Sequence, residues 1–473
     1  MTQVWHHITL SDGNPQNWVE SSYLHRLVGV LASWRQGSWL SQWSETLGMV
    51  LAALVFGLAP FVSTSLIGVL MVACGAFWVL LTLAEDGKPG ITPIHVLIVA
   101  YGFIALLATA QSPVKVAAAA GLAKWLLNGM LFLLLARVLR SPILRSSLLT
   151  IYLLAVSIVS VYGMRQWFFG AAALATWVDA ESSLAGTTRV YSFLGNPNLL
   201  AGYLISACVM SAAAVFVWQR WLPKALALGL FLLNSACLVL TFSRGGWIGY
   251  VFGGFVFIIL LVHWFSWKLP RFWQRWAVPV VLLASAGFLV VAVAAVDPLR
   301  DRVLSMFVGR EDSSNNFRIN VWASVRQMIA DRPILGIGPG NAAFTKIYPS
   351  YQRAGFTALS AYSIFLEVLV ETGIIGFVCF LWLLTVTFNL GWQQIQRLRQ
   401  VRDVNAFWLM GAIASMVGML SHGLVDTVWY RPQVSTLWWL MLALVASYYP
   451  FVSTNSSYPA KTIDPAKTTE TTP

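Results

Sequence analysis

The stretch GNPNLLAGYLISACVMSAAAVFVW, Gly195 to Trp218, contains no charged residue. A Gly-Asn-Pro-Asn turn opens it, and the apolar run behind the turn matches the roughly 20 residues a helix needs to cross a bilayer. Runs of the same kind recur along most of the 473 residues. Hydrophobic residues make up 58% of the chain and charged ones 10%, more apolar surface than a soluble core can hide. The runs fall near 47–62, 65–84, 93–110, 116–137, 147–168, 197–218, 224–242, 247–266, 277–296, 361–386, 406–427 and 434–451. They predict an all-α polytopic membrane protein of about 12 transmembrane helices, or 10 to 11 if the short first run is re-entrant or neighbours merge.

Lys and Arg stay on the cytoplasmic side of short loops, so their distribution predicts orientation. Starting inside, alternate loops hold Lys88; Arg137, Arg140 and Arg145; Arg220 and Lys224; Lys268, Arg271 and Arg275; and Arg397, Arg399 and Arg402. The short loops between them hold single cations, Lys115, Arg189, Arg244 and Arg431. This places both termini in the cytoplasm, with 1–46 as a cytoplasmic N-terminal segment, 47–451 as the multi-spanning domain and 452–473 as a disordered polar tail. The first 40 residues contain no compact apolar signal-peptide core, so insertion is expected to use an internal segment. The formal net charge of +12 follows from these dispersed anchors and does not indicate nucleic acid. Cys74, Cys208, Cys237 and Cys379 lie in apolar runs without CxxC spacing and read as packing residues.

The only long hydrophilic stretch lies between spans nine and ten, residues 297–359, on the side predicted to be periplasmic. Within it, NNFRINVWASVRQMIADRP places Ile319, Val321, Trp322, Val325, Met328 and Ile329 on one helical face, with Arg318 one turn before Trp322 and Pro333 as the stop. ILGIGPGN follows, where Gly336, Gly338 and Gly340 suit either a phosphate-approaching backbone or a plain turn.

Ionisable residues at membrane ends form a second pattern, because a charge in hydrocarbon costs several kcal/mol and usually faces protein or water. Arg244 sits in TFSRGGWIG, as a site residue or a snorkelling interfacial one. Glu367 and Glu371 share a helix face, suited to a cation, a proton or pairing with Arg244 or Arg318. His422 and Asp426 repeat that spacing, with Asp426 placed to orient His422. All of these map to the outer face with Arg189, Asn196 and Asn198. Guanidinium forks suit an anion there, and Pro197, capped by Asn196, would open a helix whose free N–H groups face the same site.

In combination, GNPNLLAGYL, SRGGWIG, the Arg318-x-x-x-Trp322 helix, DRPILGIGPGN and LEVLVETGIIGF resemble the O-antigen ligase and polymerase superfamily over most of 190–450. The wording is most similar to the cyanobacterial branch labelled as inorganic-carbon (bicarbonate) transporters. The superfamily resemblance implies a bacterial inner-membrane protein that transfers a glycan from a polyprenyl diphosphate carrier at the periplasmic face, without metal or nucleotide cofactor. It implies that Arg244 and Arg318 hold the diphosphate, with membrane lipids as the other partners. The family's base histidine does not carry over: its position falls on Tyr362 and Ser363. A phenol with a pKa near 10 is a poor base unless a cation such as Arg244 lowers it, which leaves Tyr362 and Glu367 as the catalytic candidates. Three functions stay open: glycan transfer, bicarbonate transport with Lys124 of AAAAGLAKWLLNG in its path, and anion or partner binding without catalysis.

Overall fold

The computed structural model describes residues 2–10, 28–31, 33, 37–38, 43–84, 90–171 and 188–450. Lys88, the predicted tail at 452–473 and most of the predicted N-terminal segment lie outside the described residues. Every regular element among the described residues is a helix: α1 (Thr2–Ile8), α2 (Ser44–Leu58), α3 (Thr64–Leu83), α4 (Pro93–Gln111), α5 (Lys115–Val138), α6 (Pro142–Phe169), α7 (Pro197–Val217) and α8 (Trp221–Val239). These are followed by α9 (Arg244–Phe265), α10 (Arg271–Ala295), α11 (Asp297–Leu304), α12 (Ser313–Asp331), α13 (Asn341–Ile347), α14 (Ile364–Val401), α15 (Ala406–His422) and α16 (Pro432–Ser447). Nine of them, α3 to α10 and α14, are long and apolar enough to cross a membrane. The shorter apolar helices α2, α15 and α16 occupy the remaining three predicted runs. The chain is an all-helical polytopic membrane protein.

Local chemistry sets the helix starts. Proline occupies the first turn of α4, α6, α7 and α16, where its missing N–H costs nothing. Ser63, Ser141, Asn196, Ser243 and Asp312 each accept a first-turn N–H into the side chain.

The bundle centres on α7, α9 and α15. Glycines at 245, 249 and 253 recur every turn along α9, and a side chain at Gly249 would meet the Gly418 carbonyl of α15 at 2.5 Å. Backbones that approach so closely replace the hydrophobic drive that is absent between helices in lipid. A buried polar trio adds cross-helix bonds: Ser160 Oγ donates to Asn234 Oδ1 at 2.7 Å, and Asn234 Nδ2 donates to Ser211 Oγ at 3.1 Å. In contrast, α10 buries only Ala277.

Helix α14 has 38 residues, about 57 Å at 1.5 Å per residue, and is broken at Gly373 (φ 64°, ψ −167°). A broken helix at membrane depth must have its backbone groups satisfied by protein. The segment 333–338 does this: Ile374 N–H donates to the Pro333 carbonyl (2.8 Å), Ile337 N–H to Val370 (2.9 Å) and Gly338 N–H to Glu371 (3.0 Å). Ser112 Oγ, just before α5, donates to the Ile337 carbonyl at 2.6 Å from the other side. Residues 297–363 therefore fold back onto the helices and hold an apolar core of their own, where Val321, Val325 and Met328 of α12 pack with Ile337, Phe344, Tyr348 and Val370. The predicted face of α12 is shifted, since Trp322 and Ile319 are only partly buried while Asn320 and Ser324 are buried.

A Cβ at Gly121 would lie 1.9 Å from the Pro339 carbonyl, whereas Gly229 has open space. Gly121→Ala should lower the thermal unfolding temperature, with an overpacking cost of about 1–3 kcal/mol. Gly229→Ala should leave it unchanged or raise it, and equal effects in the two variants would contradict this seating of the loop.

Candidate functional site

Four arginines meet where α7 and α9 begin, α15 ends, and α11 and α12 cross them. Arg244, 8% exposed in the first turn of α9, donates through Nη1 to the Ser305 carbonyl (3.0 Å) and through Nη2 to Asp312 Oδ1 (2.8 Å). Arg302 of α11, 7% exposed, returns the contact by donating Nε to the Phe242 carbonyl at 3.1 Å. Arg318 of α12 donates Nε to the Val425 carbonyl at 2.7 Å and Nη1 to Ser314, and its Nη2 lies 3.7 Å from Asp426 Oδ2. Arg189 donates Nε to the Thr241 carbonyl (2.9 Å) and Nη2 to Asn198 Oδ1 (3.2 Å).

The cluster holds more positive than negative charge: four arginines face the two carboxylates Asp312 and Asp426, an excess of two. Burial, then the fields of Arg244 and Arg189, push Arg302 down to about 9; burial, then Arg244 and Arg318, push Arg189 down to about 10. Both stay cationic at neutral pH, and the depression measures the cost of holding like charges together out of water. Asp312 shows the reverse. Burial raises its pKa, but the hydrogen bonds from Arg244 and the Asn315 N–H and the nearby cations outweigh that, and the carboxyl ends below its ordinary value.

The structure places the predicted residues in two groups. Asn196, Asn198, Arg244, Arg318, His422 and Asp426 join the arginine cluster. Asn196 caps α7 as expected, but its Oδ1 takes the N–H groups of Asn198 (2.8 Å) and Leu199 (3.2 Å), so those two donors are spent. Asn198 in turn positions Arg189. Asp426 does not orient His422: its carboxylate serves Arg318 and the Thr427 N–H (2.8 Å). The His422 ring fills a slot that exists because residues 202, 245 and 249 lack side chains, and its Nε2 is buried with no hydrogen-bond partner among the described residues.

Tyr362 lies beside this group, edge-on to Phe317 with ring centres 5.2 Å apart. Burial, then Asp426 and Tyr430, push its phenol up to about 12, so it keeps its proton at neutral pH. The expectation that Arg244 lowers it fails, since Arg244 is occupied by Asp312 and the cation acting on Tyr362 is Arg318. Glu367 pairs with neither Arg244 nor Arg318; its Oε2 accepts the Ala361 N–H at 2.7 Å.

Gly338, Gly340 and Glu371 form the second group. Gly338 packs on Ala118 and Ser112, Gly340 on Gly121, and the Gly338 N–H is spent on the Glu371 carbonyl. The glycine loop therefore serves close helix packing, the turn alternative, and not phosphate approach. Lys124 is exposed on α5 and forms no ion pair among the described residues.

The residue missed in the sequence is Arg302. Its surroundings, DPLRDRVL, carry the mixed charge of a solvated helix, and only Arg302 turns inward, while Arg300 pairs with the exposed Asp297 at 2.9 Å.

Because the folded-state pKa of Asp312 lies below its unfolded value, the stability it contributes is present above the ordinary carboxylate range and is lost as pH falls through the folded value. Asp312→Asn should therefore lose less unfolding temperature than wild type between pH 6 and pH 3. An equal loss in both would remove Asp312 from the linkage.

No curated protein gives a match to the chain. Residues 229–381, a stretch that carries Arg244, Arg302, Asp312, Arg318, Tyr362, Glu367 and Glu371, match the family model described as O-antigen ligase.

Proposed function

We propose that this is an O-antigen ligase-like membrane protein that binds a lipid-diphosphate-linked glycan at its outer face and transfers the glycan to an acceptor. The observation that carries the proposal is the uncompensated double positive charge of the buried arginine cluster. A diphosphate diester bears one negative charge on each phosphate, and guanidinium forks hold such oxygens in pairs. Support also comes from the match of 229–381 to the O-antigen ligase family model, which spans three of the four arginines.

The outer placement rests on the charge distribution. Arg244 opens α9, and Lys268 follows its far end, about 33 Å away at 1.5 Å per residue for 22 residues. At that far end Arg399 bonds Ser266 and Arg402 lies over Trp267, the anchoring expected of cytoplasmic cations.

In the proposed transfer, the acceptor hydroxyl oxygen bonds to the anomeric carbon as the bond to the diphosphate oxygen breaks. The electron pair leaves on the diphosphate, where the arginines stabilise it. The hydroxyl proton passes to the departing diphosphate or to Glu367. Tyr362, still protonated at neutral pH, acts as a hydrogen-bond donor. Nothing at Lys124 favours the bicarbonate alternative, because its side chain lies on the surface of α5 with no acidic partner among the described residues.

A strain lacking the protein should accumulate carrier-linked glycan, and wild type should restore the normal envelope profile. Arg318→Ala should reduce transfer by about a hundredfold to a thousandfold at unchanged expression, while Tyr362→Phe should retain most of it. An unchanged glycan profile in every strain would sink transfer and leave anion binding. Loss with Tyr362→Phe equal to that with Arg318→Ala would give the phenol an essential role.

A further inference from the structure

The donors of the cluster are spent unequally. A guanidinium carries five N–H groups on three nitrogens. Arg318 donates Nε to Val425 and Nη1 to Ser314, and its Nη2 faces Asp426 as an ion pair at 3.7 Å, beyond hydrogen-bond length. Arg244 uses both terminal nitrogens, on Ser305 and Asp312. Arg189 uses Nε and one terminal nitrogen. Arg302 uses Nε alone, and its two terminal nitrogens make no hydrogen bond among the described residues. The two arginines singled out by motif are thus the ones already engaged by the protein, and Arg302 is the one with a complete fork unspent.

Deepening the diphosphate reading and resting on it, we propose that Arg302 is the principal ligand-binding arginine, its terminal fork taking one phosphate while Arg189 supplies the next free donor. Arg302 is 7% exposed as a residue, yet its terminal nitrogens are not among the fully buried atoms left without a partner, so the fork opens outward, where an anion can accept from it. The neighbours explain why protein alone does not satisfy it. Asp312 is taken by Arg244 and Asp426 by Arg318, while Asp297 and Asp301 pair with Arg300. A purely structural arginine would need only the Nε contact to Phe242. The free fork goes beyond that task, and it sits within the fields of Arg244, Arg189 and Arg318, where two adjacent phosphates would meet several cations at once.

The test is the thermal unfolding of the purified full-length protein in detergent, titrated with inorganic pyrophosphate. Wild type should be stabilised in a dose-dependent manner. Arg302→Gln should weaken the pyrophosphate affinity about tenfold to a hundredfold, and Arg300→Gln, on the same helix but exposed, should not. Arg302→Lys keeps the charge without the fork and should weaken the affinity by a smaller factor. If Arg302→Gln shows no unfolding transition, Arg302→Lys decides: affinity equal to wild type overturns the assignment. Equal affinity of Arg302→Gln and wild type also overturns it and leaves the diphosphate site standing. Equal weakening by Arg300→Gln would reduce the effect to net charge and overturn it as well. No response of wild type to pyrophosphate would overturn both this assignment and the diphosphate reading.

Discussion

The clasp between the first turn of α9 and the segment that follows α10 holds the functional face together. Arg244 reaches out to Ser305 and Asp312, Arg302 reaches back to the Phe242 carbonyl, and Arg318 ties α12 to the Val425 carbonyl after α15. Each contact joins parts far apart in the chain; Arg244 and Arg302 are buried and Arg318 is partly buried. Hydrogen bonds to charged groups contribute about 1.5–3 kcal/mol each, so the outer segment and the bundle stabilise one another. The same charges form the candidate site. Arg244 and Arg318 each face a carboxylate, while Arg302 and Arg189 do not, and as a set the charges remain too positive.

The demand that backbone groups be satisfied at membrane depth shapes the other half of the outer segment. Gly373 breaks α14, and segment 333–338 lies along the break exchanging hydrogen bonds with residues 370–374. The glycines there allow backbone to lie on backbone, against α5 at Gly121 and against α14 at Gly373. A phosphate would find the Gly338 N–H already used. The loop contributes by fixing α14, and thereby the position of Tyr362 and Glu367 beside the arginines.

The protonation state of Tyr362 limits its role in the proposed transfer. Burial keeps Tyr362 protonated, so the residue at the position of the family histidine cannot replace it as a base at neutral pH. Charge stabilisation of a leaving diphosphate needs no such base, since the departing group itself gains basicity as the bond breaks. In the proposed transfer, binding and leaving-group stabilisation rest on the arginines.

The twelve apolar runs, the Asn196-Pro197 cap and the helix ending before Pro333 were legible because length, periodicity and capping are local properties of a chain. Arg244 was legible because a charge beside an apolar run is conspicuous, and Arg318 because it precedes Trp322 by one turn in a motif that resembles the ligase superfamily. Arg302 was not, since DPLRDRVL has the composition of a solvated helix and nothing in it distinguishes the inward arginine from the outward one. The spacing of His422 and Asp426 suggested one helix face, but α15 ends at His422, and the Asp426 carboxylate lies by Arg318, from a segment 107 residues before Val425. The sequence by itself determined what each helix could be and which ends could carry charge. Only the tertiary structure decided which charge pairs with which and which donors stay free, because burial brings groups from distant segments into competition for the same few carboxylates.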